Sequence, residues 1–567
     1  MSMLSSIELS ELRNRAIGQN EYVRYLDERT ADARAKVSVS VRHALRPAQI
    51  VRQLRRLGYA CTPQLGRTLI WDEPAPLTRT YATSWLTGLR GVLAVKVVTF
   101  HYVMAFCDFG FQPWGVDERH THFFQLPIIR LLYAGFSSQI FFGISGFLVA
   151  MRVLQAQNRR SSVGAHQHQD IFASISIDLF RKVFRLYLPV FAITLCTAIY
   201  VWLGFYESYR EPLLNHEKLF PGDWYEPRPK QMSLWSQLSY WGHEMFDLTN
   251  VVTENTVYPF HDQHLWAILA EMRGTVHLYG VLTALSQLSP ESRLVAMGAV
   301  SILYFYWNHW EVWVFILGAM VVQIDLLLDR REPQHQFPRS KTDDDDTSFE
   351  PAPSLARPNR PTLKQRWSSH RLVVTAATAS KDQRFKRVAR YALFIAALYL
   401  LSYPVAAASA YAPGYLLLNH FIPRSMVRKD KFYPNIGTFL LLLCLARSDP
   451  ATSRWRKVLS SQMAQYLGKI NFAMFLVHGP IMHALGYMLP HKVAWTFGTE
   501  LRYMEGLPWV CAVGFGWLIT LAMCLWAADV WQREVECRCV EWQRKLERFC
   551  FVDGNGTGNV AQERGRD

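Results

Sequence analysis

Long apolar runs alternate with short polar stretches from residue 89 to residue 531. A helix needs roughly 20 residues to cross the hydrocarbon core of a bilayer. Ten runs approach that length, and they predict an all-α integral membrane protein with about ten transmembrane helices in a single bundle with cytosolic tails. The predicted spans are 89–109, 129–153, 183–204, 264–287, 292–307, 310–328, 389–412, 433–448, 466–489 and 507–531.

The polar segments define the rest of the organisation. Residues 1–87 are predicted to be a basic cytosolic N-terminal tail, 88–531 the transmembrane domain and 532–567 a cytosolic C-terminal tail. Within the domain, 329–388 is rich in proline, serine and charge, which is typical of a disordered cytosolic loop. The 205–263 loop is rich in aromatic residues instead, which favours an ordered cap on the opposite side of the membrane.

The charge distribution predicts which side of the membrane the termini occupy and whether the partner is lipid or nucleic acid. The net charge is +15, and the lysines and arginines concentrate in the tails and in alternate loops. The positive-inside rule places such segments in the cytosol, so both termini are expected there, in the endoplasmic reticulum or the plasma membrane. We expect the lipid bilayer as a partner and no nucleic acid, because nucleic-acid-binding proteins carry their basic patch on a soluble domain.

Neither cysteines nor acidic runs indicate a metal centre. The nine cysteines show no Cys/His spacing of the zinc-binding type. Residues 343–346 are four consecutive aspartates, but adjacent acids cannot all face one ion, and the surrounding composition is that of a solvated linker. The sequence therefore predicts no metal.

The first predicted helix contains ionisable residues that need an explanation. Arg90 and His101 are eleven residues apart, so they lie on one helix face about 16 Å apart along the axis. That places Arg90 at the cytosolic boundary and His101 near mid-membrane, an arrangement suited to a long anionic ligand. A buried histidine can also simply hydrogen-bond to a neighbouring helix. Ionisable residues within membranes are usually functional or paired, however, and histidine suits proton transfer near neutral pH.

Other polar positions in the predicted bundle admit two interpretations each. Ser145 begins a small-residue patch that a helix or a ligand could approach closely. The cations at the start of the third span either anchor that helix or bind phosphate; they are Arg181, Lys182 and Arg185. In the fourth span, Glu271 and Arg273 either pair structurally or, for Glu271, orient a catalytic group. His264 lies seven residues before Glu271, close to the same face.

Five stretches, in order, resemble motifs of the acyltransferase-3 family of membrane acyltransferases, especially its fungal members. They are Arg90-(x10)-His101, FFGISGFL at 141–148, RKVFRLYLP at 181–189, LWAILAEMRG at 265–274 and NFAMFLVHGP at 471–480. The resemblance spans about residues 85–530, and five weak motifs in the same order are jointly specific.

The resemblance implies a membrane-embedded O-acyltransferase. An acyl group, often acetyl in this family, would move from cytosolic acyl-CoA to a hydroxyl of a small-molecule, lipid or carbohydrate acceptor. His101 would act as general base or form a transient acyl-histidine. Glu271 would orient a histidine or balance its charge, and His478 would complete the pocket. The implied donor-binding residues are Arg90, Arg181, Lys182 and Arg185, and the implied substrate-binding residues are Ser145, Trp266 and Arg273.

A non-catalytic transporter or sensor is the alternative, because it also explains ten helices and buried charges. Transporters often contain inverted repeats, and none is visible in the sequence. Lys96 is explained neither by helix geometry nor by the family resemblance. It lies about 120° around the helix from His101 and occupies a position that is apolar in the family it resembles.

Overall fold

The computed structural model describes residues 62–63, 81–107, 112–133, 137–160, 168–207, 220, 222, 226, 228–253, 256–331, 388–404, 411–450 and 452–551. The chain divides into two units, Met1–Pro76 and Leu77–Asp567. Every element below belongs to the second unit. Residues 332–387 of the predicted disordered loop, nearly all of the N-terminal tail and the last residues of the C-terminal tail lie outside the described residues.

The described residues contain helices and no strands. In chain order the helices are α1 Ser84–Phe106, α2 Ser137–Arg160, α3 His168–Trp202, α4 Leu234–Leu248, α5 Trp266–Ala284, α6 Pro290–Tyr306, α7 Trp310–Arg331, α8 Val388–Leu401, α9 Leu416–His420, α10 Phe432–Ala446, α11 Arg454–Leu459, α12 Gln462–Lys469, α13 Asn471–Ile481, α14 Leu489–Thr496, α15 Gly506–Trp531 and α16 Cys537–Cys550. Two π-helical turns, Met482–Gly486 and Gln532–Glu536, follow α13 and α15.

Six of the described helices are long and apolar enough to cross a bilayer. They are Ser84–Phe106, Ser137–Asn158, Phe172–Trp202, Trp310–Asp329, Asn471–Thr496 and Gly506–Cys550. The other four predicted spans each overlap a helix, namely α5, α6, α8 and α10. Of these, α6 has 17 residues and α10 has 15, while α5 carries Glu271 and Arg273. The all-helical fold is confirmed, and ten crossings remain a prediction.

Several predicted boundaries shift for identifiable reasons. The second span begins at Ser137, because Ile129–Leu132 forms a separate 3-10 turn. The third helix begins at His168, since no glycine or proline interrupts the polar residues before the apolar run. The seventh ends at Leu401, three residues before Pro404, as helices commonly end ahead of proline. The ninth is divided, because α12 ends at Lys469 and α13 begins at Asn471.

Close helix packing explains the small-residue patch after Ser145. A Cβ atom on Gly146 would lie 2.1 Å from the Phe315 carbonyl oxygen, and one on Gly318 would lie 2.1 Å from the Gly143 carbonyl oxygen. Helices α2 and α7 therefore cross at backbone contact, as small residues allow in membranes. The patch receives a helix, and Ser145 itself faces the cavity described below.

The helix directions define two ends of the bundle. The "Ser84 end" is where α1 begins and where α2 approaches α3 through Arg152 Nη1, 3.2 Å from Asp178 Oδ1. The "Phe106 end" is where α1 ends and where α2, α5 and α7 begin. Lys431, just before α10, lies with Nζ 5.2 Å from the centroid of the Trp310 ring, so α10 also begins at the Phe106 end. The predicted topology assigns the Ser84 end to the cytosol.

Candidate active site

Three histidines from separate parts of the chain meet inside the bundle. His101 comes from α1, His264 from the turn before α5 and His478 from α13. The His101 and His264 ring centroids are 4.1 Å apart, those of His264 and His478 are 4.2 Å apart, and those of His101 and His478 are 5.4 Å apart. The two histidines that the sequence analysis selected therefore lie together, with His264 between them.

A buried carboxylate, Glu226, lies beside this cluster. Its Oε1 is 2.6 Å from His264 Nε2 and 3.6 Å from His101 Nδ1, and its Oε2 is 3.5 Å from His483 Nε2. Burial alone would raise the pKa of Glu226, but His264, His483 and His101 hold it well below its ordinary value. The site therefore contains one ionised carboxylate in contact with three imidazoles.

His264 is held by carboxylates on both ring nitrogens. Asp262 Oδ1 lies 2.8 Å from His264 Nδ1 and accepts a hydrogen bond from the His264 backbone N–H at 3.0 Å. With Glu226 on Nε2, both nitrogens face acceptors, which favours the imidazolium form because only that form donates from both. A Cβ on Gly479 would lie 3.0 Å from Asp262 Oδ1, so a glycine after His478 leaves room for this pair.

His478 has the complementary arrangement. Its Nδ1 donates to the Phe475 carbonyl oxygen at 2.6 Å, which assigns the proton to Nδ1 and leaves Nε2 as the acceptor. That Nε2 atom is buried without a hydrogen-bond partner among the described residues. The cluster therefore contains an imidazole with a free lone pair beside one that favours the protonated form.

Helix α4 positions the turn that carries Asp262 and His264. The Glu244 carboxylate accepts hydrogen bonds from the Phe260 backbone N–H and the His261 ring. Gln237 Nε2 lies 2.7 Å from the other ring nitrogen of His261. Part of the predicted aromatic cap thus folds as a helix whose buried polar residues hold one wall of the site.

A cavity of about 1880 Å³ runs from the Ser84 end to the histidines and on toward the Phe106 end. Eight of the ten residues that the sequence analysis proposed line it: Arg90, His101, Ser145, Arg181, Lys182, Arg185, Trp266 and Glu271. His478 and Arg273 do not. The four predicted donor-binding cations and His101 therefore share one continuous space.

Glu271 lies beside the cations at the Ser84 end of the cavity and not beside the histidines. Its Oε1 is 2.7 Å from Lys182 Nζ, so the structure pairs these two predicted residues with each other. Arg273 is paired as well. Its Nη1 lies 2.7 Å from Glu311 Oε1 and its Nη2 donates to the Thr253 carbonyl at 2.5 Å. Both mid-helix charges in α5 thus have partners, as charges within the predicted span require.

The other predicted donor-binding residues include two with defined contacts, Arg90 and Arg181. Arg90 Nη2 donates to Ser145 Oγ at 2.9 Å. Arg181 binds Glu547 of α16 through two nitrogens, with Nη2 2.6 Å from Oε1 and Nε 3.0 Å from Oε2. The last predicted span continues through a π turn into α16, and Glu541 and Arg544 of α16 line the cavity. The predicted C-terminal tail therefore contributes to the wall of the cavity.

The three-histidine cluster could also be considered as a metal site, because its donor atoms all lie within 4.8 Å of one another. Zinc requires Zn–N distances of about 2.0–2.1 Å and a free lone pair on each imidazole. His264 meets a carboxylate at each nitrogen, which favours the protonated ring and leaves it no lone pair. The arrangement therefore favours proton transfer over metal binding.

Sequence reasoning did not select Glu226, Asp262 or His483 as site residues. Glu226 lies in the WYEPRP segment of the aromatic loop, where no helical periodicity assigns it to a face. The signal that could have found it is an acid among aromatic residues in a loop between two spans. Lys96 remains unexplained: it is half-buried and makes no ion pair with any described residue, and the charged group acting on it is Arg130.

The helical bundle thus holds a histidine and carboxylate cluster at the inner part of a cation-lined cavity, an arrangement suited to proton transfer on a bound anionic ligand. A family model described as "Acyltransferase domain" (Acyl_transf_3) matches residues 83–528, and the chain belongs to this family. Six apolar helices and this membership indicate a multi-pass membrane protein with acyltransferase activity.

Three curated fungal proteins are similar over most of their length. O-acetyltransferase PaAT-1 of Phomopsis amygdali is 27% identical over 463 residues, which cover 78% of this chain and 81% of the relative. Acyltransferase R4 of a Phoma species is 22% identical, covering 83% and 97%. Acyltransferase clz18 of Cochliobolus lunatus is 22% identical, covering 81% and 95%. No solved structure is a significant match.

Proposed function

We propose that the protein transfers an acyl group, in the first place acetyl, from cytosolic acyl-CoA to a hydroxyl of a small-molecule, lipid or carbohydrate acceptor. The observation that carries the proposal is the single cavity joining the donor-side cations to His101 and His264. The similarity to an O-acetyltransferase supports acetyl as the acyl group and oxygen as the acceptor atom.

The donor enters at the Ser84 end. Its phosphates meet Arg90, Arg181, Lys182 and Arg185, because guanidinium and ammonium groups form strong charge-assisted hydrogen bonds to phosphate. Its pantetheine arm follows α1 inward and brings the thioester to His101. The Glu271–Lys182 pair serves this side of the reaction, since Glu271 holds the lysine at the cavity wall.

His101 then removes the proton from the acceptor hydroxyl. Glu226 attracts the Nδ1 proton of His101, which directs the Nε2 lone pair to the acceptor and stabilises the imidazolium that forms. The acceptor oxygen attacks the thioester carbonyl, the C–S bond breaks, and the thiolate of CoA takes the proton from His101. His264 offsets the charge of Glu226 and fixes its position. In the alternative route, His101 carries the acyl group transiently before the acceptor attacks.

A deletion strain and a reconstituted protein together test the proposal. Deleting the gene should remove one acylated metabolite and accumulate its free hydroxyl form. The full-length protein in lipid nanodiscs should then convert that compound back with acetyl-CoA and release CoA. The proposal is wrong if the metabolite profile is unchanged and no acyl-CoA is consumed in the presence of an extract from the deletion strain.

A further inference from the structure

The cavity does not stop at the histidines. Beyond them its lining includes Tyr258, Arg428, Asp430 and Lys431. These residues precede α5 and α10, whose first turns lie at the Phe106 end, opposite the donor-binding cations. Arg428, Asp430 and Lys431 have no role in the proposed function. They lie at the end of the cavity from which an acceptor would reach His101 if the donor enters at the opposite end.

One carboxylate in this cluster serves two cations. Asp430 Oδ1 lies 3.1 Å from Arg428 Nε, and Asp430 Oδ2 lies 3.0 Å from Lys431 Nζ. Burial alone would raise the pKa of Asp430, but Lys431 and Arg428 hold it below its ordinary value, so it stays ionised. The three residues therefore retain one net positive charge at the cavity wall.

Arg130 adds a second positive charge to the same part of the lining. It lies in the turn between α1 and α2, is 3% exposed and donates from Nη1 to the Ser402 carbonyl at 3.3 Å. Among the described residues, the charged lining at the Phe106 end thus comprises three cations and one carboxylate. An acidic ligand gains charge-assisted hydrogen bonds there, whereas a cationic one is repelled.

Aromatic rings line the path between this charge and the histidines. The Phe142 ring centroid lies 6.2 Å from that of Trp266 and 5.8 Å from that of Trp310, and Trp266 and Trp310 are 6.1 Å apart. Phe142 and Trp266 line the cavity. Such a cluster packs well against a flat or fused ring system.

We propose that Arg428, Asp430 and Lys431 form the acceptor site, and that the acceptor is a hydroxylated ring compound carrying a carboxylate. This rests on the proposed function. The carboxylate binds Arg428 and Lys431, the ring packs against Phe142 and Trp266, and the hydroxyl reaches His101. Donor and acceptor then enter from opposite ends of one cavity and meet at the histidines.

The compound that accumulates in the deletion strain is the probe, used as the free acid and as its methyl ester with the wild-type protein in nanodiscs. We expect the KM for the methyl ester to be roughly 10- to 100-fold higher than the KM for the free acid, because the ester loses hydrogen bonds to charged groups. The KM for acetyl-CoA should be the same with either acceptor. An acceptor without an acidic group, or an ester that reacts as well as the acid, overturns the proposal while the acyltransferase function stands. Absence of any transfer overturns the proposed function instead.

Substitutions at Lys431 test whether this residue accounts for the difference in KM between the acid and the ester. Lys431→Gln should raise the acceptor KM for the acid about as much as esterification does, and should add little for the ester. Lys431→Arg should restore most of the loss, which separates recognition from misfolding. Lys429→Gln is the matched control, because Lys429 is exposed in the same segment and does not line the cavity. Equal effects of Lys431→Gln on acid and ester would contradict the assignment.

Discussion

Glu226 Oε1 lies 2.6 Å from His264 Nε2, so a loop carboxylate binds the central imidazole of the site. Glu271, in the α5 motif, lies 2.7 Å from Lys182 Nζ instead. In the proposed mechanism the two carboxylates therefore serve different ends of the reaction, Glu226 the proton transfer and Glu271 the donor side. Separate substitutions should distinguish their roles.

Replacing Glu226 should impair chemistry more than binding. Glu226→Gln keeps the shape and removes the charge that stabilises the His101 imidazolium, so kcat should fall roughly 10²- to 10⁴-fold. The KM for acetyl-CoA should stay within about twofold, because the donor-side cations are untouched. Steady-state release of CoA in nanodiscs measures both. A wild-type kcat in the Glu226→Gln protein would show that the charge of Glu226 has no role in the chemical step.

Replacing Glu271 should give the opposite pattern. Glu271→Gln removes the carboxylate that holds Lys182 at the cavity wall. The KM for acetyl-CoA should therefore rise several-fold, while kcat changes little. The same titration of acetyl-CoA measures this effect. A loss of kcat as large as that of Glu226→Gln would indicate that Glu271 acts on the reacting atoms and not on donor binding.

The cations at the Ser84 end should act on the donor alone. Arg185→Ala removes a guanidinium from the cavity lining, so the KM for acetyl-CoA should rise roughly tenfold, with little change in the acceptor KM. Raising the salt concentration should weaken donor binding by the wild-type protein more than by the variant, because the variant has fewer charges to screen. A larger effect on the acceptor than on the donor would contradict the assignment.

Glu547 should compete with the donor for Arg181. Glu547→Gln removes the carboxylate that binds Arg181 Nε and Nη2, so the KM for acetyl-CoA should fall about two- to fivefold, the scale of an exposed ion pair. Glu534→Gln is the control, since Glu534 pairs with Arg538 one turn away on the same helical segment. An unchanged KM in Glu547→Gln would show that Arg181 does not bind the donor.

The α2–α7 crossing should tolerate no side chain at Gly146. Gly146→Ala places a Cβ against the Phe315 backbone, and such overpacking costs about 1–3 kcal/mol. Thermal unfolding in detergent should therefore show a lower Tm than for Gly280→Ala, where a Cβ meets nothing within 4 Å. Equal Tm values for the two variants would contradict the close crossing.

The sequence predicts most of the cations that line the cavity at the Ser84 end, because helical periodicity operates there. Arg90 and His101 share a face of one helix, and both line the cavity. Periodicity also placed Glu271 near the face of His264, but seven residues are about 10 Å of helix. That distance moves the carboxylate away from the imidazole and into reach of Lys182 on another helix.

The carboxylate that contacts the histidines could not be predicted in the same way. Glu226 reaches the histidines through a loop, and its partners come from α1, from the turn before α5 and from the π turn after α13. A sequence shows that a charge in α5 such as Arg273 needs a partner, yet not that Glu311 supplies it. Pairing between distant segments depends on packing, which no local pattern encodes.

The central claim is that His101 removes the proton from the acceptor hydroxyl. Acceptor-dependent release of CoA by the His101→Ala protein tests this claim most directly. The measurement uses the full-length protein in nanodiscs, with acetyl-CoA and the metabolite that accumulates in the deletion strain. His277→Gln is the control, because His277 is also in a helix of the bundle but contacts Tyr304 and does not line the cavity. We predict that His101→Ala loses at least about 10²-fold in kcat while the control keeps wild-type activity. Wild-type turnover by correctly inserted His101→Ala protein would contradict the account.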